Sequence, residues 1–294
     1  MSLDSLRAPP TWGHKTTCLT ILLLAAVASW FWLDLSLSDV VPSRGGWLVA
    51  HDFLSRALSP AWRSEAHYIP PGTPPLPWIA LSAAAQTLLF AAAAMGLAVP
   101  LGGLLGFLAS SAWWSEEMIG SRNKIARRFR QFLCPIIWTF ARVQIALLRS
   151  IHEILWAILF LAALGLSPMA AVLAIALPFS GVLAKIYSEL IDETPRTQAH
   201  ALRSAGASTP QIYLFGLVTP ALPDMIAYTF YRFECAVRSS AVLGFFGFPT
   251  LGLYIRQSSA SLNHGETWTY LYVLIATILL LEIWSGSVRR RLIS

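Results

Sequence analysis

Few residues in this chain are equipped for chemistry, and those few sit inside apolar runs. Glu234 and Arg238 are spaced i,i+4 and so share one face of a helix. Arg232 and Ser239 lie beside them. An ionisable side chain within a bilayer costs at least ~2.5 kcal/mol on insertion scales, so such residues pair with one another or line a wet path. Two readings follow. Glu234 and Arg238 form a neutralised pair that locks helices, or Arg238, with Arg232, faces a path and attracts an oxyanion, since guanidinium suits phosphate-like groups. A second group, Arg149, His152 and Glu153, opens the run 151–166. There Arg149 reads as a snorkelling anchor, with a gate or inter-subunit contact at Arg149 and His152 as the sharper alternative.

The constellations that would make the chain an enzyme are missing. No G-x-x-x-x-G-K-[ST] is present to cradle nucleotide phosphates, and neither H-E-x-x-H nor G-x-S-x-G occurs. The six histidines show no i,i+4 pairing, and Cys18, Cys134 and Cys235 form no C-x-x-C, so they read as small packing residues and no metal site is expected. The energy for any transport must come from a partner or an ion gradient.

The elements that position these residues are membrane helices. Of 294 residues 56% are hydrophobic and only 12% charged, about half the charge of a soluble domain. The net charge of +6 then reflects basic residues gathered at one membrane face rather than nucleic-acid binding. An all-α integral membrane protein of about six spans is expected: 18–33, 77–110, 151–166, 168–190, 221–248 and 270–284. Trp30-Phe-Trp-Leu33 carries the first apolar run past the weak cleavage-like Ala26-Val-Ala28, which favours a retained span over a signal peptide. A proline kink is expected at Pro100. The stretch 122–149, with Arg122, Lys124, Arg127, Arg128 and Arg130 among Phe129, Phe132, Leu133, Ile136, Ile137 and Trp138, reads as an amphipathic surface helix. A full span at 131–148 is left open.

Charge sets the orientation. Segments 1–17, 111–149, 185–206 and 289–294 hold 15 of the 21 Lys and Arg residues, whereas 34–77 holds three against four acids. Both ends therefore lie in the cytoplasm. Trp and Tyr at 30, 32, 78, 113, 114, 138, 268 and 284 read as interfacial belts. The chain divides into a cytoplasmic tail and first span (1–34), an outer loop (35–77), a core (78–288) and a basic tail (289–294). In the outer loop Trp47, His51, Leu54, Leu58 and Trp62 recur at helical spacing, as in an interfacial helix resting on the membrane, and Pro70 to Pro77 forms a stiff approach to the next span.

Between two apolar runs lies a polar interlude, 198–212. Residues 186–204 suit a helix broken only at Pro195, Gly206 suits a left-handed turn, and Ser208 or Thr209 can cap a new helix with Pro210 in its first turn. The result is a helix–turn–helix knob within 189–220. Ala201 and Gly206-Ala-Ser, then Gln211-Ile212 and Ala221-Leu-Pro223, resemble the EAA loop of bacterial ABC-importer permeases. Tyr228-Thr-Phe-Tyr-Arg-Phe-Glu234, Val237-Arg238-Ser-Ser-Ala-Val-Leu-Gly-Phe245, Arg149-Ser-Ile-His152 and Leu183-Ala-Lys-Ile-Tyr-Ser-Glu189 resemble the phosphonate-type subfamily, and the likeness covers about 78–288. Where that loop reads Glu-Ala-Ala, this chain has His200-Ala201-Leu202; Pro220 falls one residue late, and Gly247-Phe-Pro-Thr-Leu-Gly252 replaces a glycine-dense turn.

The resemblance implies an ABC type I importer permease fold in the bacterial cytoplasmic membrane. It implies a non-catalytic subunit in which His200, Ala201, Arg203, Gly206, Ala207 and Ser208 meet the ATPase. The implied partners are a second permease copy forming a homodimer, two cytosolic ATPases, an extracytoplasmic substrate-binding protein and membrane lipid. ATP and Mg would be held by the ATPases and no cofactor by this chain. The implied cargo is a phosphonate or related small phosphorus oxyanion. The alternative is an ATPase-independent secondary transporter or channel for a small anion, which predicts an inverted repeat; no convincing repeat is visible.

Overall fold

A computed structural model of the chain describes residues 13–36, 41–66, 69, 71–114 and 124–293, without the side chains of 14, 124–131, 292 and 293. Arg7, Asp39, Pro70, Arg122 and the side chains of Lys124, Arg127, Arg128, Phe129 and Arg130 lie outside that description. The chain divides into two compact units, Met1–Ser55 and Arg56–Ser294. The first holds α1 (His14–Trp32) and nearly all of α2 (Arg44–Arg56). In α1 the apolar residues are exposed all round, as suits a helix solvated by lipid. Trp47, His51 and Leu54 belong to α2, while Leu58 and Trp62 follow its end.

The second unit is built on α3 (Leu76–Ala109) and α7 (Pro168–Glu193). Small residues recur at three- and four-residue steps along the buried stripe of α3, from Ala80 through Ala84, Ala91 and Ala98 to Gly102 and Gly106. They let the backbones meet: a Cβ on Gly102 would lie 2.8 Å from Leu183 Cβ, and one on Gly106 would lie 3.0 Å from the Ala184 carbonyl oxygen. Close approach of this kind supplies the dispersion contact that holds helices together where lipid removes the hydrophobic drive. α3 is described as one helix through Pro100.

α7 starts where Ser167 accepts from the Ala170 N–H at 3.2 Å with Pro168 in the first turn. It stops at Thr194, because Pro195 disfavours helical backbone in the residue before it. α10 (Thr219–Val242) and α12 (His264–Ile293) complete the bundle. At the end of α10 the chain tightens into a 3-10 turn (Leu243–Phe246), passes Gly247 at φ 100° and enters α11 (Leu251–Ala260). The buried Thr87 hydroxyl accepts from the Leu251 N–H at 3.1 Å, and the Ser240 hydroxyl donates to the Thr87 carbonyl at 2.8 Å, which ties that turn to α3.

Among the described residues six helices are long and apolar enough to cross a membrane: Lys15–Trp32, Leu76–Trp114, Phe132–Ser150, Pro168–Glu193, Thr209–Phe246 and His264–Arg291. The expected number stands, but one member changes. The stretch read as a surface helix is α5 (Lys124–Ser150), whose part from Phe132 meets the length and composition of a span. The expected span 151–166 is only the 12-residue α6 (Glu153–Leu164), too short to cross alone. The two follow one another along α7. A Cβ on Gly181, at the midpoint of α7, would lie 2.8 Å from Leu148 Cβ, and α6 then packs toward the start of α7 as far as the Gly165 turn. Hydropathy could not resolve this, since both stretches are apolar and only packing against α7 orders them.

Part of the outer loop is also pinned. The Glu266 carboxylate of α12 accepts from the Ser64 hydroxyl at 2.6 Å and from Ser258 at 3.0 Å, and the Thr269 hydroxyl donates to the Ala61 carbonyl at 2.7 Å. The segment 57–65 therefore docks on the start of α12 rather than resting only on lipid.

Candidate coupling surface and anion path

The interlude takes the shape expected of it. α8 (Thr197–Ser204) follows Pro195, Gly206 adopts φ 82°, and α9 (Thr209–Tyr213) opens with a capping box in which the Gln211 side-chain carbonyl accepts from the Ser208 N–H at 2.9 Å. Ala199 is the buried anchor of α8: Gly216, in a π-helical turn (Leu214–Val218), lets it approach so closely that a Cβ there would lie 3.0 Å from Ala199 Cα. His200, Ala201, Arg203, Gly206 and Ser208 are exposed, and Ala207 is half-buried. The buried face of α9 presents Tyr213 to Phe107 at 5.3 Å and to Trp113 at 5.0 Å between ring centroids. Trp113, expected in an interfacial belt, instead helps seat the knob.

Asp192 is the residue the sequence did not single out. Its carboxylate accepts from the Ser110 hydroxyl (2.7 Å), the Ser111 N–H (3.0 Å) and hydroxyl (2.9 Å), and the Ala112 N–H (2.9 Å), and it lies 3.8 Å from Arg142 of α5. One side chain thus joins the end of α3, the short α4 (Ser111–Trp114), α5 and the root of α8. A carboxylate so supplied with donors is a charge-assisted clamp. Its only sequence signal was an acid beside Pro195, with no hint that Ser110 and Ser111 would meet it.

On α10 the expected pair does not form. Glu234 is buried and lies 3.3 Å from Arg289 of α12, while Arg238 is exposed and has no ion pair or hydrogen bond among the described residues. The i,i+4 spacing allowed the contact, but α12 supplies a closer cation. Arg289 to Arg291 are accordingly part of the last turns of α12 rather than a separate tail. Arg232 donates from Nε to the Tyr228 hydroxyl at 2.8 Å, and its guanidinium stands 5.2 Å from the Tyr228 ring centre and 5.6 Å from that of Tyr231, a cation–π arrangement. Ser239 donates to Glu153 Oε1 at 2.9 Å, bringing α10 to the start of α6.

His152 caps α6, its Nδ1 accepting from the Ile154 N–H at 3.3 Å, and its Nε2 lies 3.5 Å from Glu153. Arg149 lies in the last turn of the apolar stretch Phe132–Ser150. Its backbone N–H lies beside Gly181, halfway along α7, at the break between α5 and α6. Arg149, Arg142 and Lys185 together line a cavity of about 470 Å³. The structure thus gathers Arg149, His152, Glu153 and Ser239 around one helix break, with Arg232 and Arg238 on the adjacent α10, and leaves Glu234 out. No group of His, Cys, Asp and Glu suited to a metal occurs among the described residues.

The chain is 30% identical over 156 residues to the phosphite transport system permease protein PtxC of Stutzerimonas stutzeri, covering 53% of this chain and 57% of that protein. It is 29% identical over 159 residues to the phosphate-import permease protein PhnE of Mycolicibacterium smegmatis, covering 54% and 30%. A putative cryptic phosphonate transport system permease protein, PhnE2 of Escherichia coli, is 29% identical over 121 residues, 41% of this chain and 99% of that one. The chain spans about half the length of the first of these relatives and under a third of the second. Among solved structures, an amino acid ABC transporter with histidines superposes with a TM-score of 0.57 at 18% identity, over 72% of this chain and 94% of that one. The MetNI methionine ABC transporter in an inward-facing conformation gives 0.55 at 20% identity, over 73% and 96%. These establish the ABC-importer permease fold. Residues 98–293 match the family model of the binding-protein-dependent transport system inner membrane component, and the chain belongs to that family.

Proposed function

We propose that this chain is the permease subunit of an ABC importer for a phosphonate or related small phosphorus oxyanion. The observation that carries the reading is the similarity to phosphite, phosphate and phosphonate permeases over about half of this chain. Two copies of the chain would pair, with the path at their two-fold axis. Two cytosolic ATPases, holding ATP and Mg, would dock on the exposed faces of α8 and the Gly206 turn through His200, Ala201, Arg203, Ala207 and Ser208. A substrate-binding protein would deliver the anion at the opposite membrane face. The chain itself would hold no cofactor.

Within the path, Arg238 is the exposed, unpaired cation of α10, and Arg232, braced by Tyr228 and Tyr231, is the next one along. Both are suited to attract a phosphorus oxyanion. Ser239 joins α10 to α6, so it would pass movement of the coupling end to the break at Arg149 and His152, where a gate would sit. The test is uptake into proteoliposomes that hold the permease, its ATPase and its binding protein. ATP-dependent accumulation of phosphite or methylphosphonate is the expected result. Anion uptake that proceeds without ATPase or ATP sinks the reading.

A further inference from the structure

The cavity between α5 and α7 carries an imbalance that the α10 path does not address. Three cations line it, Arg142, Arg149 and Lys185, with Ile145, Ala146 and Ser150. Among the described residues, Glu153 at the neighbouring helix break is held by His152 and Ser239, and two other carboxylates pair with these cations. Glu189 takes Lys185 one turn along α7, and Asp192 stands 3.8 Å from Arg142 while accepting four hydrogen bonds from Ser110, Ser111 and Ala112. Arg149 is exposed and has no ion pair or hydrogen bond among the described residues. It is held at the middle of α7, because Gly181 brings the α5 backbone against that helix.

The Arg149 guanidinium has no counter-charge among the described residues, and two further cations share its cavity. Like charges in a poorly screened site repel strongly, and within a bilayer such groups are retained where an anion or a wet path answers them. The space is of the right order, since small-molecule sites run from roughly 300 to 1,000 Å³. The donors suit one ligand class. A guanidinium fork and an ammonium converging from two helices match the oxygens of a tetrahedral phosphorus oxyanion.

We propose that the Arg142–Arg149–Lys185 cavity is an anion site for a phosphate-type group, separate from the α10 stripe. Either a free oxyanion or the headgroup of an anionic phospholipid supplies that chemistry, and the experiment tells them apart. The full-length protein is placed in nanodiscs of phosphatidylcholine alone and titrated with inorganic phosphate at constant ionic strength, read by phosphorus NMR line broadening. A parallel sample from membranes containing phosphatidylglycerol is read by native mass spectrometry for retained lipid. Arg149→Gln removes the unpaired cation. Ala146→Leu fills the cavity and leaves every charge in place.

Each variant is expected to weaken one of the two ligands by about tenfold, Arg149→Gln by removing a charge-assisted contact and Ala146→Leu by occupying the space. Loss of phosphate binding in both variants assigns a free oxyanion; loss of phosphatidylglycerol in both assigns a headgroup. If neither ligand responds to either variant, or if Arg149→Gln alone has an effect, the cavity is not the site. Should Arg149→Gln fail to survive extraction, Ala146→Leu decides alone. Transport is not read in this experiment, so a negative result leaves the importer reading standing.

Discussion

Glu234 of α10 and Arg289 of α12 meet at 3.3 Å, the carboxylate buried and the guanidinium about one-third exposed. The contact clamps the last turns of the chain to the helix that carries Arg232 and Arg238. Removing only the cation strands a buried charge, which costs more than removing both. Arg289→Met should destabilise by roughly 2–3 kcal/mol and lower the melting midpoint in detergent by several degrees. The double variant with Glu234→Gln should recover most of that. Equal midpoints for the single and double variants would show that the pair contributes nothing.

Arg238→Gln should behave in the opposite way. Because Arg238 is exposed and unpaired among the described residues, the melting midpoint and membrane level should be unchanged, while phosphite uptake falls by about tenfold or more. Full uptake at normal protein level removes Arg238 from the path.

Asp192 gathers four donors and Arg142. Asp192→Ala should therefore cost about 3 kcal/mol and reduce ATP-driven uptake more than ATPase binding, because the face of α8 is left intact while its root loosens. Asp192→Asn, which keeps the shape and one acceptor oxygen, should fall between. Co-purification of the ATPase set against uptake in the same preparation checks this.

A glycine at the start of α11 and one in α3 make a controlled pair. A Cβ on Gly252 would lie 2.0 Å from the Ala241 carbonyl oxygen, whereas one on Gly103 meets nothing within 4 Å. Gly252→Ala should cost at least about 3 kcal/mol and abolish monodisperse protein on size exclusion. Gly103→Ala should leave the elution profile unchanged.

Gly206 has open space around it but φ 82°, so its constraint is backbone conformation alone. Gly206→Val should cost about 1–2 kcal/mol locally and weaken ATPase co-purification, with little change in the melting of the permease itself. Undiminished ATPase retention would show that the turn does not shape the docking face.

Much of this was legible in the residues. Low charge and long apolar runs dictated a helical membrane protein of six spans, because in lipid only helices and closed barrels satisfy the backbone and runs of about 20 apolar residues suit helices. Pro195, Gly206, Ser208 and Pro210 dictated the knob, because each acts on its own φ and ψ or on its nearest neighbours. The exposure of His200, Ala201 and Arg203 opposite the anchor Ala199 follows from helical periodicity within α8.

Partnerships between distant residues were not legible. Glu234 chose Arg289 over Arg238, Asp192 gathered Ser110, Ser111 and Arg142, and the acid at 266 reached Ser64. Periodicity reports which face a side chain shares and carries no information about which other helix covers that face. The same limit hid the break at Ile151-His152. By hydropathy 132–150 and 151–166 competed to be a span, and only the approach of Leu148 and Arg149 to Gly181 showed them laid end to end against α7. The sequence alone therefore determined a helical membrane protein of about six spans and the turn at Gly206. Tertiary packing decided which charges are satisfied, and so which cations, Arg149 and Arg238 among the described residues, stand without an ion pair.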